Sequence, residues 1–225
     1  MGERAGFGAV FAVEGFFYAL STLVTTQVSE QPVDSSPVGF GLRQVLANRR
    51  LLLVSSLAVV IFFAPYLGQP FTPNYLEEVV GVELAWIGFL GSVHALGATV
   101  LSLWLGRLSE GVGGFVVGQG LVLVSLLVFL RSRALPLLAV SFFLRGAFNA
   151  CRSLALALTG RVVSTTSVGL AYGFFNTTFN VSMVLAPYVA GWLYASRPDL
   201  PFLVSVAMIG IVMPLSLLLA KGDGR

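Results

Sequence analysis

Long apolar runs separated by short polar segments follow one another along the chain. They cover residues 7–26, 51–72, 84–105, 115–130, 136–160, 168–194 and 202–220. An α-helix needs about 20 mainly apolar residues to cross a bilayer. The pattern therefore predicts an all-α membrane protein with about seven transmembrane helices, the fourth being the shortest, and no soluble domain.

The composition supports a bilayer as the solvent of this chain. Hydrophobic residues make up 56% of it and charged residues 10%, whereas soluble domains carry about 25% charged residues. The net charge is +3, but the cations are scattered singly along the predicted loops, which excludes nucleic acid as a partner. The first run follows a mixed-charge start and precedes no small-residue cleavage site, so we expect it to remain as a span.

No pair of a nucleophile and a base, and no cluster of metal-binding residues, is evident in the sequence. The sole cysteine, Cys151, and the sole histidine, His94, fall in different apolar runs, and no metal-ligand or nucleotide-binding spacing occurs. We therefore expect no enzyme active site, no metal and no cofactor. Cys151 is expected to pack as a small buried hydrophobe.

The fifth run, residues 136–160, carries Arg145 and Arg152 well inside it. On one continuous helix they would lie about 10 Å apart along one face, with Asn149 one turn after the first. Placing a guanidinium at membrane depth costs at least about 2.5–3.5 kcal/mol, so such residues normally face protein or a wet cavity. We expect these three residues to bind a solute. The alternative is a structural role for the arginines, in which they cap carbonyls or pair with a carboxylate.

Other polar positions within the apolar runs extend the candidate cavity lining. The second run ends in a Pro- and Gly-rich stretch, residues 65–73, which favours a broken helix end with Tyr66, Gln69 and Asn74 facing a cavity. A kinked helix end at the membrane interface is the alternative. An acidic loop is expected over residues 74–83. In the sixth run Asn176 and Asn180 share a helix face.

His94 is a candidate proton carrier, because an imidazole changes its charge near neutral pH. The alternative is a hydrogen-bonded packing residue on an apolar helix. Orientation follows from loop charges: seven Lys or Arg residues follow the first, third and fifth runs or lie in the tail, against four on the opposite side. This bias predicts a cytoplasmic C-terminus and an outside N-terminus, and leads us to expect further helices before Met1.

Two short motifs carry a resemblance to a known family. The turn between the third and fourth runs contains Gly106, Arg107, Leu108, Glu110 and Gly113. It resembles a degenerate copy of the Gly-x-Leu-x-Asp-Arg-x-Gly-Arg signature of the major facilitator superfamily, with glutamate for aspartate and glycines at two basic positions. Residues 185–192, LAPYVAGW, resemble the Gly-Pro-x-x-Gly-Gly run of its antiporters, with alanine for two glycines.

From Leu51 onward the chain resembles the C-terminal six-helix half of such a transporter, and its first run resembles the sixth helix. The resemblance implies a single helix over residues 1–27, a cytoplasmic linker over 28–50 and a six-helix bundle over 51–225. It places Tyr66, Gln69, Arg145 and Asn149 on cavity-lining helices, and Asn176 and Asn180 beside the cavity.

Glu14 would lie on the peripheral sixth helix. Membrane-embedded carboxylates often carry coupling protons in this family, so Glu14 joins His94 as a candidate for proton coupling. A structural or interfacial role is the alternative for Glu14.

The function that the resemblance implies is secondary active transport of a small, anionic or amphipathic solute across the plasma membrane. A buried arginine suits an anion, because its planar fork pairs with carboxylates. Alternating access needs two bundles, so we expect an N-terminal half, a second chain or a homodimer partner. The alternative function is that of a truncated, non-transporting membrane protein or interaction scaffold.

Overall fold

A computed structural model of the chain describes residues 2–27, 59–108, 112–162 and 168–222. The chain divides into two compact units, Met1–Gly39 and Phe40–Arg225. All regular structure among the described residues is helical, which confirms the predicted all-α class for that part of the chain. The predicted linker over residues 28–50 lies outside the described residues.

The described part of the first unit is one helix, α1 (Gly2–Thr25). Threonine hydroxyls near its end bond back along the helix, from Thr22 to the Tyr18 carbonyl at 2.9 Å and from Thr25 to the Ser21 carbonyl at 2.8 Å. These bonds satisfy polar side chains inside an apolar helix. Glu14 lies within α1, but its side chain lies outside what the structure describes.

The described helices of the second unit follow the predicted apolar runs. They are α2 (residues 59–66), α3 (Leu84–Leu108), α4 (Val112–Arg131), α5 (Leu135–Arg145), α6 (Ala147–Val162), α7 (Val168–Ser196) and α8 (Leu200–Gly222). Helices α3, α4, α7 and α8 extend the runs by a few residues, whereas α2 ends at residue 66, before the end of the second run. The predicted fifth run is thus divided between α5 and α6. Helix α3 packs against α5 and α6, and α4 packs against α5, α6 and α8.

The segment between α2 and α3 differs from the prediction. After a turn, a helical stretch Thr72–Asn74 leads into a π-helix, Tyr75–Val80, so the predicted loop over residues 74–83 was wrong. Pro73 stands in the first turn, where its missing N–H is no loss. Gly81, with φ of 79°, ends the segment in the left-handed conformation that glycine adopts without strain.

Two described helical segments, Leu84–Arg107 and Gly113–Arg131, are long and apolar enough to cross a bilayer. Gly15–Thr25 and Leu200–Ser216 are shorter apolar helical segments. Within the described residues α5 covers 11 residues and α6 covers 16, because the helix is interrupted between them. The predicted number of seven spans therefore remains a prediction.

Phe62 of α2 stands at the centre of an aromatic core. Its ring makes edge-to-face contacts with Phe115, Phe148, Phe175 and Phe179, at centroid distances from 5.2 to 6.5 Å. This geometry is favoured between aromatic rings. The contacts fix α2 against α4, α6 and α7.

Buried serines join neighbouring helices through backbone carbonyls. Ser141 of α5 donates to the Ser125 carbonyl of α4 at 2.9 Å, and Ser182 of α7 donates to the Val59 carbonyl of α2 at 2.9 Å. Ser205 of α8 donates to the Ala64 carbonyl of α2. Small hydroxyl side chains allow close helix approach and satisfy their own polarity, as is common between membrane helices.

The backbones of α3 and the α5–α6 junction approach each other closely at two glycines. A Cβ atom on Gly97 would overlap the backbone of Phe143, and a Cβ atom on Gly146 would overlap the backbone of Gly97 and Ala98. Both glycines are buried. The contact is possible only because glycine has no side chain at these two positions. It fixes the position of the α5–α6 junction along the axis of α3.

The turn between α7 and α8 carries an ion pair whose pH response can be measured. Arg197 donates from Nε and Nη2 to the two carboxylate oxygens of Asp199, at 3.1 and 2.6 Å. The hydrogen bond from Arg197 holds the pKa of Asp199 below its ordinary value. The stabilisation is therefore present above the unfolded pKa of the carboxyl and is lost as pH falls through the folded pKa.

We expect Arg197→Gln to raise the pKa of Asp199 toward its ordinary value, with little change in stability because both side chains are solvated. A carbon-13 NMR titration of the Asp199 carboxyl measures the change. Arg131→Gln is the control, because Arg131 does not contact Asp199. An unchanged Asp199 pKa in Arg197→Gln would contradict the prediction.

Candidate functional site

The helix break at Gly146 organises the polar residues of the predicted fifth run. The Gly146 N–H bonds to the Phe143 carbonyl at 3.1 Å, and the Asn149 N–H bonds to the Gly146 carbonyl at 3.1 Å, so the turn tightens to a spacing of three residues. The Phe142 carbonyl, which would accept from Gly146 in a regular α-helix, becomes available to another donor. His94 of α3 takes it, with its Nδ1 at 3.3 Å.

Arg145, the last residue of α5, is buried with 4% of its surface exposed. Its guanidinium carbon lies 4.9 Å from the ring centre of Phe129 and 5.2 Å from that of Phe142, in cation–π geometry. Its Nη1 donates to the Thr72 hydroxyl at 2.8 Å, and that hydroxyl donates in turn to the Gly68 carbonyl at 2.8 Å. The side chain is therefore held by two aromatic rings and one hydroxyl.

The opposite edge of the Arg145 guanidinium has no partner. Its Nε and Nη2 are buried, and neither makes a hydrogen bond to the described residues. These two nitrogens form the edge from which parallel N–H groups bind both oxygens of one carboxylate or sulfonate. No carboxylate among the described residues forms an ion pair with Arg145. A buried, unpaired charge of this kind is costly, and a bound anion would relieve that cost.

A pocket of about 180 Å³ has Arg145 among its lining residues. It is lined by Gln69, Thr72, Pro73, Ile87, Gly91, His94, Phe142 and Arg145. The Nε2 of Gln69 is also buried without a hydrogen-bond partner. The volume is far above the roughly 10–15 Å³ that admits one water molecule. Two residues that line this pocket thus also carry buried nitrogens without a hydrogen-bond partner among the described residues.

The structure brings three predicted residues together in this pocket: Gln69, Arg145 and His94. Tyr66 does not line it, because its ring stacks on Phe148 at a centroid distance of 6.2 Å. The predicted stripe on one continuous helix is divided, since Arg145 ends α5 in a buried position while Asn149 lies exposed in α6.

Arg152 belongs to a separate, exposed group. Its guanidinium lies over the Phe179 ring at 4.3 Å and donates from Nη2 to Asn176 Oδ1 at 3.4 Å. Asn176 donates from its amide to the Tyr172 carbonyl at 3.0 Å, and Asn180 is exposed on the same helix. Arg152 is thus satisfied by neighbours on α7, which contrasts with Arg145.

The predicted signature loop is described only at its edges. Gly106, Arg107 and Leu108 continue α3, and Gly113 lies in the first turn of α4. Glu110 lies outside the described residues. Cys151 is buried and its thiol lies 3.5 Å from the Phe115 carbonyl, as expected of a packing residue.

Several residues that line the pocket or contact Arg145 were absent from the sequence prediction. Thr72 was not among the candidates, although a polar residue beside Pro73 at a broken helix end is a usable signal. The Phe142 carbonyl had no such signal, because its availability depends on the helix break. Phe129, which packs on Arg145 from α4, is indistinguishable from other core aromatics in the sequence.

Residues 70–224 match the Major Facilitator Superfamily. A Cupriavidus necator protein named "Probable sulfoacetate transporter" is 28% identical over 182 residues, which cover 72% of this chain and 41% of that protein. A Staphylococcus aureus protein whose name describes a proline/betaine transporter is 25% identical over 177 residues, covering 72% and 38%.

A third relative is the "Tetracycline resistance protein, class B" of Escherichia coli. It is 25% identical over 167 residues, which cover 70% of this chain and 41% of the relative. The chain thus spans about two-fifths of the length of these curated relatives.

Proposed function

The chain belongs to the Major Facilitator Superfamily, and on that premise we propose that it works in secondary active transport of a small anionic solute. Family membership makes it an integral membrane protein, and the relatives named above include transporters. In this proposal residues 51–225 form a six-helix bundle, residues 1–27 a preceding transmembrane helix, and residues 28–50 a cytoplasmic linker. The seven spans lie in the plasma membrane with the C-terminus in the cytoplasm.

The unpaired edge of the Arg145 guanidinium is the observation that supports an anionic solute. Two guanidinium nitrogens of Arg145 and the amide nitrogen of Gln69 are buried without partners, and both residues line the same pocket. The desolvated charge stays uncompensated until an anion enters. A carboxylate or sulfonate fits this edge, because its two oxygens match the two parallel N–H groups. Sulfoacetate, proline and betaine, which appear in the names of relatives, each carry such a group.

Alternating access requires a second bundle to close the other side of the solute site. We propose that a second six-helix unit supplies it, either from a longer form of this chain, from a separate chain or from a second copy. The alternative of an interaction scaffold explains neither the unpaired donors of the pocket nor the transporter names among the relatives.

Binding of sulfoacetate to the purified protein in lipid nanodiscs tests this function. We expect saturable binding that other small carboxylates and sulfonates displace, because they offer the same oxygens to Arg145. A neutral sugar alcohol of similar size is the matched competitor and should not displace the probe. Equal displacement by the neutral compound, or the lack of saturable binding by any small anion, would contradict the proposal.

A further inference from the structure

Among the described residues, Thr72 supplies the one hydrogen-bond acceptor that the Arg145 guanidinium contacts. Arg145 Nη1 donates to the Thr72 hydroxyl at 2.8 Å, while Nε and Nη2 have no partner there. The Phe129 and Phe142 rings also contact the guanidinium, with its central carbon 4.9 and 5.2 Å from their centres. Attraction to a ring face acts on the charge as a whole and does not distinguish one N–H group from another. The directional contact that fixes the rotation of the guanidinium is therefore the one to Thr72.

The Thr72 hydroxyl is itself held in one orientation. It donates its single proton to the Gly68 carbonyl at 2.8 Å, so it meets Arg145 only as an acceptor. Thr72 is buried, and its N–H bonds to the Gln69 carbonyl at 3.2 Å. A Cβ atom on Gly68 would lie 2.7 Å from the Phe202 ring, so this turn packs tightly on α8. The acceptor is thus held by a backbone carbonyl whose own position is fixed by packing.

The bond to Thr72 determines which donors of Arg145 stay free for a solute. A guanidinium pairs best with a carboxylate or sulfonate when two neighbouring N–H groups meet two oxygens. With Nη1 engaged by Thr72, the nitrogens without a partner are Nε and Nη2, which are neighbours on one edge. Without the hydroxyl the guanidinium is free to turn about its Nε–Cζ bond, and an anion that binds has to fix that rotation again.

We propose that Thr72 is a positioning residue of the anion site: its hydroxyl locks the Arg145 guanidinium so that the Nε–Nη2 edge is kept for a small carboxylate or sulfonate. The inference rests on the proposed function and deepens it. Thr72 acts on the solute through Arg145, and it raises affinity by preorganising a pair of donors. The helical stretch Thr72–Asn74 and the end of α5 therefore act together in recognition.

Substitutions that change only the hydroxyl test this role. Thr72→Val replaces the hydroxyl by a methyl group, and we expect it to bind sulfoacetate in nanodiscs at least about tenfold more weakly, because a bond to a charged group is lost. Thr72→Ser keeps the hydroxyl and should stay within about threefold of the unsubstituted protein. Thr178→Val is the matched control, since Thr178 is buried in α7 and does not line the pocket. Unchanged affinity in Thr72→Val, or a loss of equal size in Thr72→Ser or Thr178→Val, overturns the inference.

Nitrogen-15 NMR of arginine-labelled protein reports the orientation of Arg145 without any solute. The Arg145 signals are identified by their loss in Arg145→Gln. In the free protein we expect separate signals for Nη1 and Nη2, because the bond to Thr72 opposes the rotation about Nε–Cζ that exchanges them. Thr72→Val should average the two signals, and Thr72→Ser should keep them separate.

Two spectra would contradict this expectation. Averaged signals in the unsubstituted protein overturn the inference even if Thr72→Val does not fold. Separate signals in folded Thr72→Val overturn it as well, because the two aromatic rings would then hold Arg145 without the hydroxyl.

The positioning role and the anion site fail in distinguishable ways. Sulfoacetate binding that depends on Arg145 but is equally strong in Thr72→Val overturns the role of Thr72 and leaves the anion site intact. If the unsubstituted protein binds neither sulfoacetate nor another small anion, the anion site is overturned, and the role of Thr72 in binding with it.

Discussion

Arg145→Gln should lower the affinity for small carboxylates and sulfonates by at least about 100-fold while the protein remains folded in the membrane. Each hydrogen bond to a charged group contributes about 1.5–3 kcal/mol, and the glutamine loses both bonds of the unpaired edge together with the charge. The fold should survive because Arg145 bonds to Thr72 alone among the described side chains. Removing a buried charge that has no ion partner is expected to cost little stability, or to increase it.

Two matched variants separate charge from geometry. Arg145→Lys retains a cation but lacks the planar fork, so we expect an affinity loss of about tenfold. Arg152→Gln removes an exposed arginine that already contacts Asn176 and Phe179, and should change affinity by less than about threefold. Isothermal calorimetry gives the affinities, and thermal unfolding in detergent reports the fold. Unfolding of Arg145→Gln would support a structural arginine instead.

The sequence predicts the helices of this chain well, because apolar runs of bilayer length leave little choice of structure. Polar residues within the apolar runs also indicate the site. Gln69, His94 and Arg145 each lie in an apolar run, and all three line the pocket. The failures are local. The loop predicted over residues 74–83 is mostly helical, because Pro73 begins a helical turn that the acidic residues after it continue.

The contact between His94 and the Phe142 carbonyl of α5 could not be predicted from the sequence, for a physical reason. It depends on a carbonyl released by the break at Gly146, and Gly146 is one of 25 glycines in the chain. Its backbone is right-handed, with φ of −53°, so no unusual torsion required glycine there. The requirement comes from α3, whose backbone leaves no room for a Cβ atom. Such a requirement exists only in three dimensions.

That contact gives the second large expected effect. Gly146→Ala and Gly97→Ala should each destabilise the protein by more than the roughly 1–3 kcal/mol typical of overpacking, because the overlapping atoms belong to backbone and cannot rotate away. Gly88→Ala is the control on α3, since nothing lies within 4 Å of a Cβ atom at that position. Thermal unfolding in detergent compares the three variants, and control-like stability of Gly146→Ala would contradict the expectation.

The same substitutions should also change the geometry of the pocket. Separation of α3 from the junction would lengthen the 3.3 Å contact between His94 Nδ1 and the Phe142 carbonyl, and would move Arg145 at the end of α5. We therefore expect any folded fraction of Gly146→Ala to bind small anions at least about tenfold more weakly than Gly88→Ala. Undisturbed affinity in that folded fraction would mean that the junction supports the fold without positioning the donors of the site.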